Sequence, residues 1–300
     1  MTGNPSLIRI WLSATRPRTL PVSFAPVIAG AALVHSTGRG IRVIPLVLCF
    51  GFAVLAQIAA NFANDYFDYV KGADTGARVG PRRAVSAGLV SPATMLKATW
   101  LTCLAAFAVG LGLLPYGGVP LLAVGIASLV SAVLYTGGPY PLGYHGWGDV
   151  FVFIFFGPVA VCATVYVQTA RVGVAAIAIS AAIGLLAANI LVANNYRDLD
   201  TDRAAGKHTT VVRFGRGFAQ GQFAAAHVVA LLVPLVLTRF GMPLKPLALL
   251  PFALLAAWAW SLCRRLRPSA PPAQLIGVLA QSGLYVAAYA AALSACLIIS

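Results

Sequence analysis

Long stretches without a charged residue are the feature that most constrains this chain. A helix that crosses the hydrocarbon core of a membrane needs about 20 apolar residues, and eight uncharged stretches approach or exceed that length. They are 19–38, 43–64, 98–148, 150–170, 172–196, 217–238, 246–263 and 268–300. The longest is interrupted by LPYGGVP at 114–120, which predicts two helices there. The pattern therefore predicts nine transmembrane helices, with eight or ten as alternatives because Pro and Gly interrupt several segments.

The composition indicates a polytopic, all-α membrane protein. Hydrophobic residues make up 60% of the chain and charged residues only 9%, whereas soluble domains carry about 25% charged residues. The net charge of +14 would suggest nucleic acid binding in a soluble chain, but the basic residues lie in short gaps between apolar segments. We therefore expect a lipid bilayer around the chain and no nucleic acid partner. The five cysteines stand in apolar runs without a CxxC spacing, so neither disulfides nor a zinc site are expected.

The positions of the basic residues predict the orientation of the helices. With nine spans, 16 of the 21 Lys and Arg residues fall at the N-terminus and in the loops on the same side. Basic residues concentrate on the cytoplasmic side of membrane proteins. We therefore expect a multi-pass protein of the inner (cytoplasmic) membrane with a cytoplasmic N-terminus. The first segment also matches a cleaved signal peptide, but the further spans favour a retained first helix.

Six of the seven acidic residues lie in two similar stretches, and the chain contains no glutamate. The stretches are NFANDYFDYVKGAD at 61–74 and NNYRDLDTDRAAGK at 194–207. Both follow a helix that ends on the predicted cytoplasmic side. Solubilising charge would be scattered and would include Glu, so this clustering indicates a function.

The spacing of the two stretches suggests an internal duplication. One four-helix unit separates them, and both face the same side of the membrane. We therefore predict one membrane-embedded domain, 1–300, with halves at about 16–140 and 146–265 and an added helix at about 272–299. Chance similarity between two polar loops is the alternative.

Helical periodicity places the polar residues of each stretch on one face, because positions three, four and seven apart share a helix face. The first face carries Gln57, Asn61, Asn64 and Asp68 with Asp65 at its edge, and the second carries Asn194, Asp198 and Asp202. Polar groups at the end of a membrane helix are costly unless they line a wet cavity. The two faces therefore predict one shared cavity, and Asp200 is expected to point away from it.

The residue types in these stretches predict a magnesium ion and an anionic substrate. Short Asp and Asn oxygens suit a hard cation, and Mg²⁺ combines one or two carboxylates with waters and phosphate oxygens. Basic side chains in the same loops attract the anion: they are Lys71, Arg78, Arg82, Arg83, Arg197, Arg203, Lys207 and Arg213. A diphosphate on a hydrocarbon tail meets both requirements. Its ionisation would give an allylic cation that a dry chamber protects and an electron-rich aromatic ring attacks.

Four stretches of the chain resemble a known family of membrane enzymes. They read RPRTLPVSFAPVIAG at 16–30, NDYFDYVKGADTGARVGPRRAVSAGLVSP at 64–92, YTGGPYPLGYHGWGDVFVFIFFG at 135–157 and NNYRDLDTDRAAGKHTTVVRFGR at 194–216. They are similar to the UbiA-type intramembrane aromatic prenyltransferases, in which two Asp-rich motifs follow helices 2 and 6 of nine. Gly72 stands where the broader family has a third Asp. The GxD pattern that ends at Asp74 is typical of the branch that prenylates 1,4-dihydroxy-2-naphthoate.

The resemblance implies a magnesium-dependent transfer of a polyprenyl group from a polyprenyl diphosphate to that naphthoate, with loss of CO₂. It also implies that Asn and Asp residues of the two motifs hold Mg²⁺ and the diphosphate. The candidate catalytic residues are Asp65, Asp68, Asp198 and Asp202, and the candidate metal ligands are Asn64, Asp68, Asp198 and Asp202. The candidate substrate-binding residues are Asn61, Asn64, Lys71, Arg78, Arg82, Asn194, Arg197, Lys207 and Arg16.

Several roles and activities stay open at this point. Asp149 fits either a contact to the acceptor or a helix N-cap. Aromatic residues before and within the fifth helix fit either stabilisation of the carbocation or an interfacial belt; they are Tyr135, Tyr140, Tyr144, Phe151, Phe153, Phe155 and Phe156. Other acceptors, namely 4-hydroxybenzoate, homogentisate or a tetrapyrrole, remain alternatives, and so does a transporter or ion channel.

Overall fold

The computed structural model describes residues 6–17, 19–73, 83–242 and 245–299. The α-helices are α1 (Leu7–Ala14), α2 (Pro21–Ser36), α3 (Val43–Val70), α4 (Pro92–Leu111), α5 (Leu114–Leu134), α6 (Gly148–Ile154), α7 (Ala160–Thr169), α8 (Val174–Arg197), α9 (Leu199–Ala204), α10 (Thr210–Arg239), α11 (Leu250–Arg265) and α12 (Pro272–Ile299). Short 3₁₀ turns, Leu142–His145 and Pro246–Leu249, precede α6 and α11, and a π-helical turn, Phe155–Val159, joins α6 to α7. No strand occurs in these residues, which agrees with the all-α prediction.

Eight helical segments within the described residues are long and apolar enough to cross a membrane. They are Val43–Val70, Pro92–Leu111, Leu114–Leu134, Gly148–Thr169, Val174–Arg197, Thr210–Arg239, Pro246–Arg265 and Pro272–Ile299. The first predicted span forms a shorter apolar helix, α2, of 16 residues. A multi-pass membrane protein is therefore confirmed, while the count of nine spans and the internal duplication stay predictions.

The longest uncharged stretch forms two helices, as its Gly and Pro residues predict. α4 ends at Leu111 and α5 begins at Leu114, slightly before the predicted break. A kink lies inside the predicted segment, at Gly118, whose φ of 63° is a left-handed conformation that glycine adopts without steric cost. The rest of α5 then runs to Leu134, next to the first acidic stretch.

Side-chain caps fix the starts of two long helices near the acidic stretches. The Ser91 hydroxyl accepts a hydrogen bond from the backbone N–H of Thr94 at 3.2 Å, before α4. The Thr209 hydroxyl accepts from the N–H of Val212 at 3.3 Å, before α10. Each cap satisfies a donor that the first helical turn leaves free. Thr209 thereby fixes the point at which the chain leaves the second acidic stretch.

The core of the protein is centred on α8. This helix packs against α10, α12 and α6, and α12 packs against α2. Ile179 and Ile183 of α8 and Tyr289 of α12 are completely buried in this region. α3 packs mainly on α4, and its other side faces a cavity that separates it from α8. The fold therefore places the two predicted acidic helix ends on opposite walls of one space.

α8 makes very close backbone contact with the π-helical turn. A Cβ atom added to Gly157 would lie 2.4 Å from the carbonyl oxygen of Ser180 and 2.8 Å from Cα of Gly184. Only glycine fits at this crossing, and small residues at such crossings let membrane helices pack closely. The π-helical turn, a feature often found at functional sites, carries Phe155 and Phe156, which line the cavity.

Candidate active site

A deep cavity of about 670 Å³ is lined by residues of both acidic stretches at one end. The lining residues from those stretches include Asn61, Asn64, Asp65, Asp68, Asn194, Asp198 and Asp202. The remaining wall is mainly apolar and follows α5 from Ala132 to Leu121, a distance of about 17 Å at 1.5 Å per residue. The shared cavity that the sequence predicts is therefore present, with an apolar body and a polar end formed by the acidic stretches, which we call the polar mouth.

Asp68 lies at the polar mouth, near the end of α3, with only 2% of its surface exposed. Its Oδ2 accepts a hydrogen bond from Arg83 at 2.5 Å. Its Oδ1 accepts from the Tyr144 hydroxyl at 2.6 Å and lies 3.5 Å from the ammonium of Lys207. These donors compensate for the loss of water around a buried carboxylate. Three distant segments of the chain therefore meet at this one side chain.

Asp65 holds the turn that carries Arg83. Both carboxylate oxygens accept backbone N–H groups, from Ala84 at 3.0 Å and from Val85 at 3.2 Å. Both of those residues are buried. Asp65 therefore fixes the position from which Arg83 reaches Asp68, and its predicted catalytic role stays a prediction.

The connection between α1 and α2 is bound to α3 and carries Arg16. The side-chain amide of Asn61 donates to the carbonyl of Thr15 at 2.9 Å. Arg16 follows with a φ of 52°, a left-handed conformation that costs a non-glycine residue roughly 1–2 kcal/mol. Arg16 lines the cavity, so this strained backbone brings a cation to the mouth.

Asn64 and Lys71 connect the end of α3 to the segment after α5. The Thr136 hydroxyl donates to Asn64 Oδ1 at 2.9 Å. The Lys71 ammonium donates to the carbonyls of Thr136 at 2.8 Å and Gly138 at 3.2 Å. Burial lowers the pKa of Lys71 from its usual value, and the Asp68 carboxylate opposes that shift. Asn64 lines the cavity, whereas Lys71 lies outside its wall.

The second acidic stretch interrupts the helix that carries it. α8 ends at Arg197, and α9 begins at Leu199 after a residue with non-helical backbone angles, Asp198. The single helical face expected for this stretch is therefore broken. Arg197 donates to Oδ1 and Oδ2 of Asp198 at 2.6 and 2.5 Å, and to Asn194 Oδ1 at 2.8 Å. All three side chains line the cavity.

Lys207, the last residue of the second stretch, lies between carboxylates of both stretches. Its ammonium is 3.5 Å from Oδ1 of Asp68 and 3.9 Å from Oδ1 of Asp202. It also lies 4.6 Å from the centre of the Tyr144 ring. Gly206, which follows the end of α9, has a left-handed φ of 70°. A positive charge therefore occupies the space between carboxylates of the two stretches.

Two further predicted contacts, Arg78 and Arg82, lie outside the described residues, as does Asp74. Asp200 points away from the cavity, as predicted, because its side chain is 77% exposed and bonds to Arg216 at 3.3 Å. It therefore offers a natural control for substitutions in the second stretch.

Asp149 is buried but lies outside the cavity wall. Its Oδ2 accepts from the Thr210 hydroxyl at 2.6 Å and from the Gln222 amide at 3.1 Å, both in α10. The side chain forms no cap at the start of α6. Asp149 therefore joins α6 to α10, a role that neither sequence-based alternative included.

Most of the predicted aromatic residues line the cavity. They are Tyr135, Tyr144, Phe151, Phe155 and Phe156. Tyr140 is instead 54% exposed and stacks on His145, with ring centres 3.7 Å apart. Burial raises the pKa of Tyr135, and the nearby carboxylate of Asp149 adds to the shift. The Tyr135 hydroxyl therefore stays protonated and able to donate a hydrogen bond at neutral pH.

Comparison with known proteins identifies the family. The model of the UbiA prenyltransferase family matches residues 23–282. The chain belongs to this family. It is 41% identical over 248 residues to 1,4-dihydroxy-2-naphthoate octaprenyltransferase of Mycobacterium tuberculosis, covering 80% of this chain and 83% of the relative. It is 36% identical over 261 residues to the Escherichia coli protein of the same name, covering 85% of this chain and 80% of that relative.

A solved structure confirms the fold of this UbiA family member. The UbiA homolog from Archaeoglobus fulgidus bound to DMAPP and Mg²⁺ matches with a TM-score of 0.65. The match covers 95% of this chain and 99% of that chain at 17% sequence identity. The resemblance seen in the sequence motifs is therefore confirmed at the level of family and fold.

The polar mouth of this UbiA family member fits a magnesium ion. No three Asp, Glu, His or Cys side chains of the described residues form a metal-binding group by themselves. Mg²⁺ needs only one or two carboxylates, because waters and phosphate oxygens complete its coordination. Asp68 and Asp202 already face one cationic group, the Lys207 ammonium. The space between the motifs therefore accommodates positive charge.

Sequence reasoning named Arg83 and Tyr144 but did not predict that both contact Asp68. It favoured Arg78 and Arg82 over Arg83 in the first loop; Arg83 bonds to Asp68 in the structure, and the other two lie outside the described residues. It considered Tyr144 only as an aromatic ring, although the hydroxyl bonds to the same carboxylate. The buried, acidic character of Asp68 was the available signal, because such a group requires several donors.

Proposed function

We propose that this UbiA family protein transfers a polyprenyl group from an allylic polyprenyl diphosphate to 1,4-dihydroxy-2-naphthoate. CO₂ and diphosphate leave, and the product is demethylmenaquinol. The observation that carries the proposal is the polar mouth, with its carboxylates and cations, at the head of a deep apolar cavity. The names of the relatives from M. tuberculosis and E. coli support the naphthoate as acceptor.

The diphosphate would bind at the polar mouth, with the prenyl chain in the apolar body. Cationic side chains that line the mouth would bind its oxygens, since guanidinium groups pair well with phosphates; they are Arg16, Arg83, Arg197 and Lys207. Asn64, Asp68, Asp198 and Asp202 would hold Mg²⁺, which when bound stabilises the charge on the leaving diphosphate. Arg78 and Arg82 keep their predicted role in diphosphate binding.

The transfer would exchange one carbon–oxygen and one carbon–carbon bond for a new carbon–carbon bond. The bond between C1 of the prenyl chain and the diphosphate breaks, and its electron pair leaves with the diphosphate oxygen. The naphthoate carbon that bears the carboxylate attacks C1. The bond to the carboxylate then breaks, which releases CO₂ and restores the aromatic ring. Phe151, Phe155 and Phe156 line the chamber and would exclude water from the carbocation.

The test is an assay of the purified protein in Mg²⁺-containing proteoliposomes with a labelled prenyl diphosphate and a panel of aromatic acids. We expect product with the naphthoate, and one CO₂ for each prenyl group transferred. Asp68→Asn and Asp198→Asn should each lower turnover at least a hundredfold, as expected when groups that stabilise a leaving anion are lost. Asp200→Asn is the matched control and should retain activity. Turnover in both motif variants would contradict the proposed site.

The acceptor panel separates the closest alternatives. Preferred turnover with 4-hydroxybenzoate, homogentisate or a tetrapyrrole would replace the naphthoate assignment while leaving the family chemistry intact. A transporter or channel would give no diphosphate release at all. Coupling residues of transporters also lie near the middle of the bilayer, whereas Asp68 and Asp198 lie at helix ends.

We also propose that the polar mouth faces the cytoplasm in the inner membrane. The excess of basic residues on that side supports this orientation. Asp200→Cys places a thiol at an exposed site, whereas the five native cysteines lie within helices. A membrane-impermeant maleimide should label this variant in inverted vesicles and not in intact cells. Labelling only from outside the cell would reverse the proposed orientation.

A further inference from the structure

We propose that Tyr144 is a positioning residue that holds the Asp68 carboxylate in the orientation needed to bind the metal–diphosphate. The inference rests on the proposed function, because it concerns the same polar mouth. The main contribution of Tyr144 to the reaction then comes from its hydroxyl and not from the face of its ring.

Tyr144 contacts both acidic motifs. Its hydroxyl donates to Oδ1 of Asp68 at 2.6 Å, across 76 residues of sequence. Its backbone carbonyl accepts the N–H of His208, directly after the second motif, at 2.7 Å. Because one residue is bonded to the first motif and to the residue that follows the second, it sets the distance and orientation between them.

The ring of Tyr144 lies among ammonium groups. Lys207 is 4.6 Å and Lys71 is 5.1 Å from the ring centre, within the range of cation–π contacts. A ring that already faces these cations is poorly placed to stabilise a carbocation as well. Phe151, Phe155 and Phe156 line the same cavity and are available to face the carbocation.

The segment around Tyr144 is rigidly held. Tyr144 lies in the 3₁₀ turn Leu142–His145, and the next residue but one, Gly146, has a left-handed φ of 82°. A Cβ atom at Gly146 would lie 2.9 Å from the carbonyl oxygen of His208. Arg213 donates to the carbonyl of His145 at 3.0 Å. The turn is therefore fixed to the second motif before its side chain reaches the first.

A rigid hydroxyl on a carboxylate has a known consequence in metal sites. Groups that hydrogen-bond to a metal ligand orient it, and their loss typically lowers metal affinity 10–100-fold. In this protein the metal would bind to lone pairs of the Asp68 oxygens that Tyr144 and Arg83 do not use. We therefore expect the Tyr144 hydroxyl to increase affinity for a divalent cation.

The experiment measures Mn²⁺ binding to the purified protein by electron paramagnetic resonance, with a non-hydrolysable prenyl diphosphate analogue and no acceptor. Tyr144→Phe keeps the ring near Lys71 and Lys207 and removes only the hydroxyl. It should weaken Mn²⁺ binding about tenfold or more. Tyr140→Phe, at an exposed tyrosine in the same segment, is the matched control and should bind as the unmodified protein does. Equal Mn²⁺ affinity in Tyr144→Phe and the unmodified protein would overturn the proposal.

A second measurement works without metal. The loss of melting temperature caused by Tyr144→Phe should be smaller in an Asp68→Asn background, because the two groups form one hydrogen bond. Equal losses in both backgrounds would also count against the proposed role of Tyr144. If the unmodified protein bound no Mn²⁺, the metal-dependent part of the proposed function would fail, and this cycle would still test whether Tyr144 holds Asp68.

Discussion

The two acidic motifs hold their central carboxylates in different ways. Asp68 of the first motif receives its donors from Arg83, Tyr144 and Lys207, which are 15, 76 and 139 residues away in sequence. Asp198 of the second motif is held by Arg197, its direct neighbour. The first site is therefore a product of tertiary structure, whereas the second is largely preset by its local sequence.

Helix continuity explains part of this difference. α3 continues past Asp68 to Val70, so the carboxylate projects from a regular helix. Its hydrogen-bond donors therefore come from segments distant in sequence. α8 ends at Arg197, and the break lets two adjacent side chains turn toward each other. We expect substitutions in the first motif to disturb distant segments, and those in the second to remain local.

Removing the carboxylate of Asp68 should produce the largest effect. Asp68→Ala leaves Arg83 and Lys207 with less compensation in a buried place, which typically costs about 3–5 kcal/mol of unfolding free energy. Hydrogen exchange should increase at residues 83–90 and 140–147 together. Asp198→Ala should cost less, because Arg197 keeps its bond to Asn194. Exchange confined to the end of α3 in Asp68→Ala would contradict the long-range description of the first motif.

Asp65→Asn should have the next largest effect. The substitution replaces one acceptor oxygen by a donor that faces a backbone N–H, which we expect to cost about 2 kcal/mol. Arg83 would lose its fixed position, so the turnover number should also fall, and exchange should increase in the turn at 83–90. Ser86→Ala, an exposed position in that turn, is the control. Full activity in Asp65→Asn would mean that Arg83 is held by other contacts.

A conservative change in the second motif should be milder. In Arg197→Lys a single ammonium replaces a guanidinium that contacts both oxygens of Asp198. We expect the KM for the prenyl diphosphate to rise about fivefold, which corresponds to about 1 kcal/mol. Steady-state kinetics and hydrogen exchange measured together test this. Changed exchange at the first motif would show that the second motif is less local than proposed.

The smallest effect is expected for Asp200→Asn. Its exposed pair with Arg216 should contribute less than about 0.5 kcal/mol to stability, as exposed ion pairs do. Turnover should stay within about twofold of the unmodified protein, since such surface changes are nearly neutral. A strong loss of turnover would mean that the second motif extends beyond its cavity-lining side chains.

The sequence predicted the positions of eight long apolar helices because a hydrophobic run is a local property. It also placed both acidic stretches at one cavity. Helical spacing gives each stretch a polar face that needs a wet cavity, and both helices were predicted to end on the same side of the membrane. It did not predict the contacts of Asp65 and Asn61 with backbone groups of Ala84 and Thr15. Such contacts depend on how distant loops fold back onto α3, and the helical spacing of polar residues does not indicate them.

The break at Asp198 and the strained backbone of Arg16 were missed for a related reason. A helical face was extended through the second motif because the spacing of four residues fitted it, and neither Pro nor Gly marked an end. Similarly, a positive φ at an arginine is unusual, so the sequence offered no signal for it. The helix break at Asp198 and the positive φ of Arg16 depend on contacts with the surrounding segments, which the local sequence does not specify.

The seam between Gly157 and Gly184 limits how this cavity can be redesigned. At that crossing two backbones meet with only hydrogen atoms between them, and the phenylalanines that line the chamber lie beside it. Directed evolution toward bulkier or smaller substrates should therefore leave those glycines invariant and randomise Phe155 and Phe156. Gly157 and Gly184 are therefore positions near the cavity at which no larger residue fits.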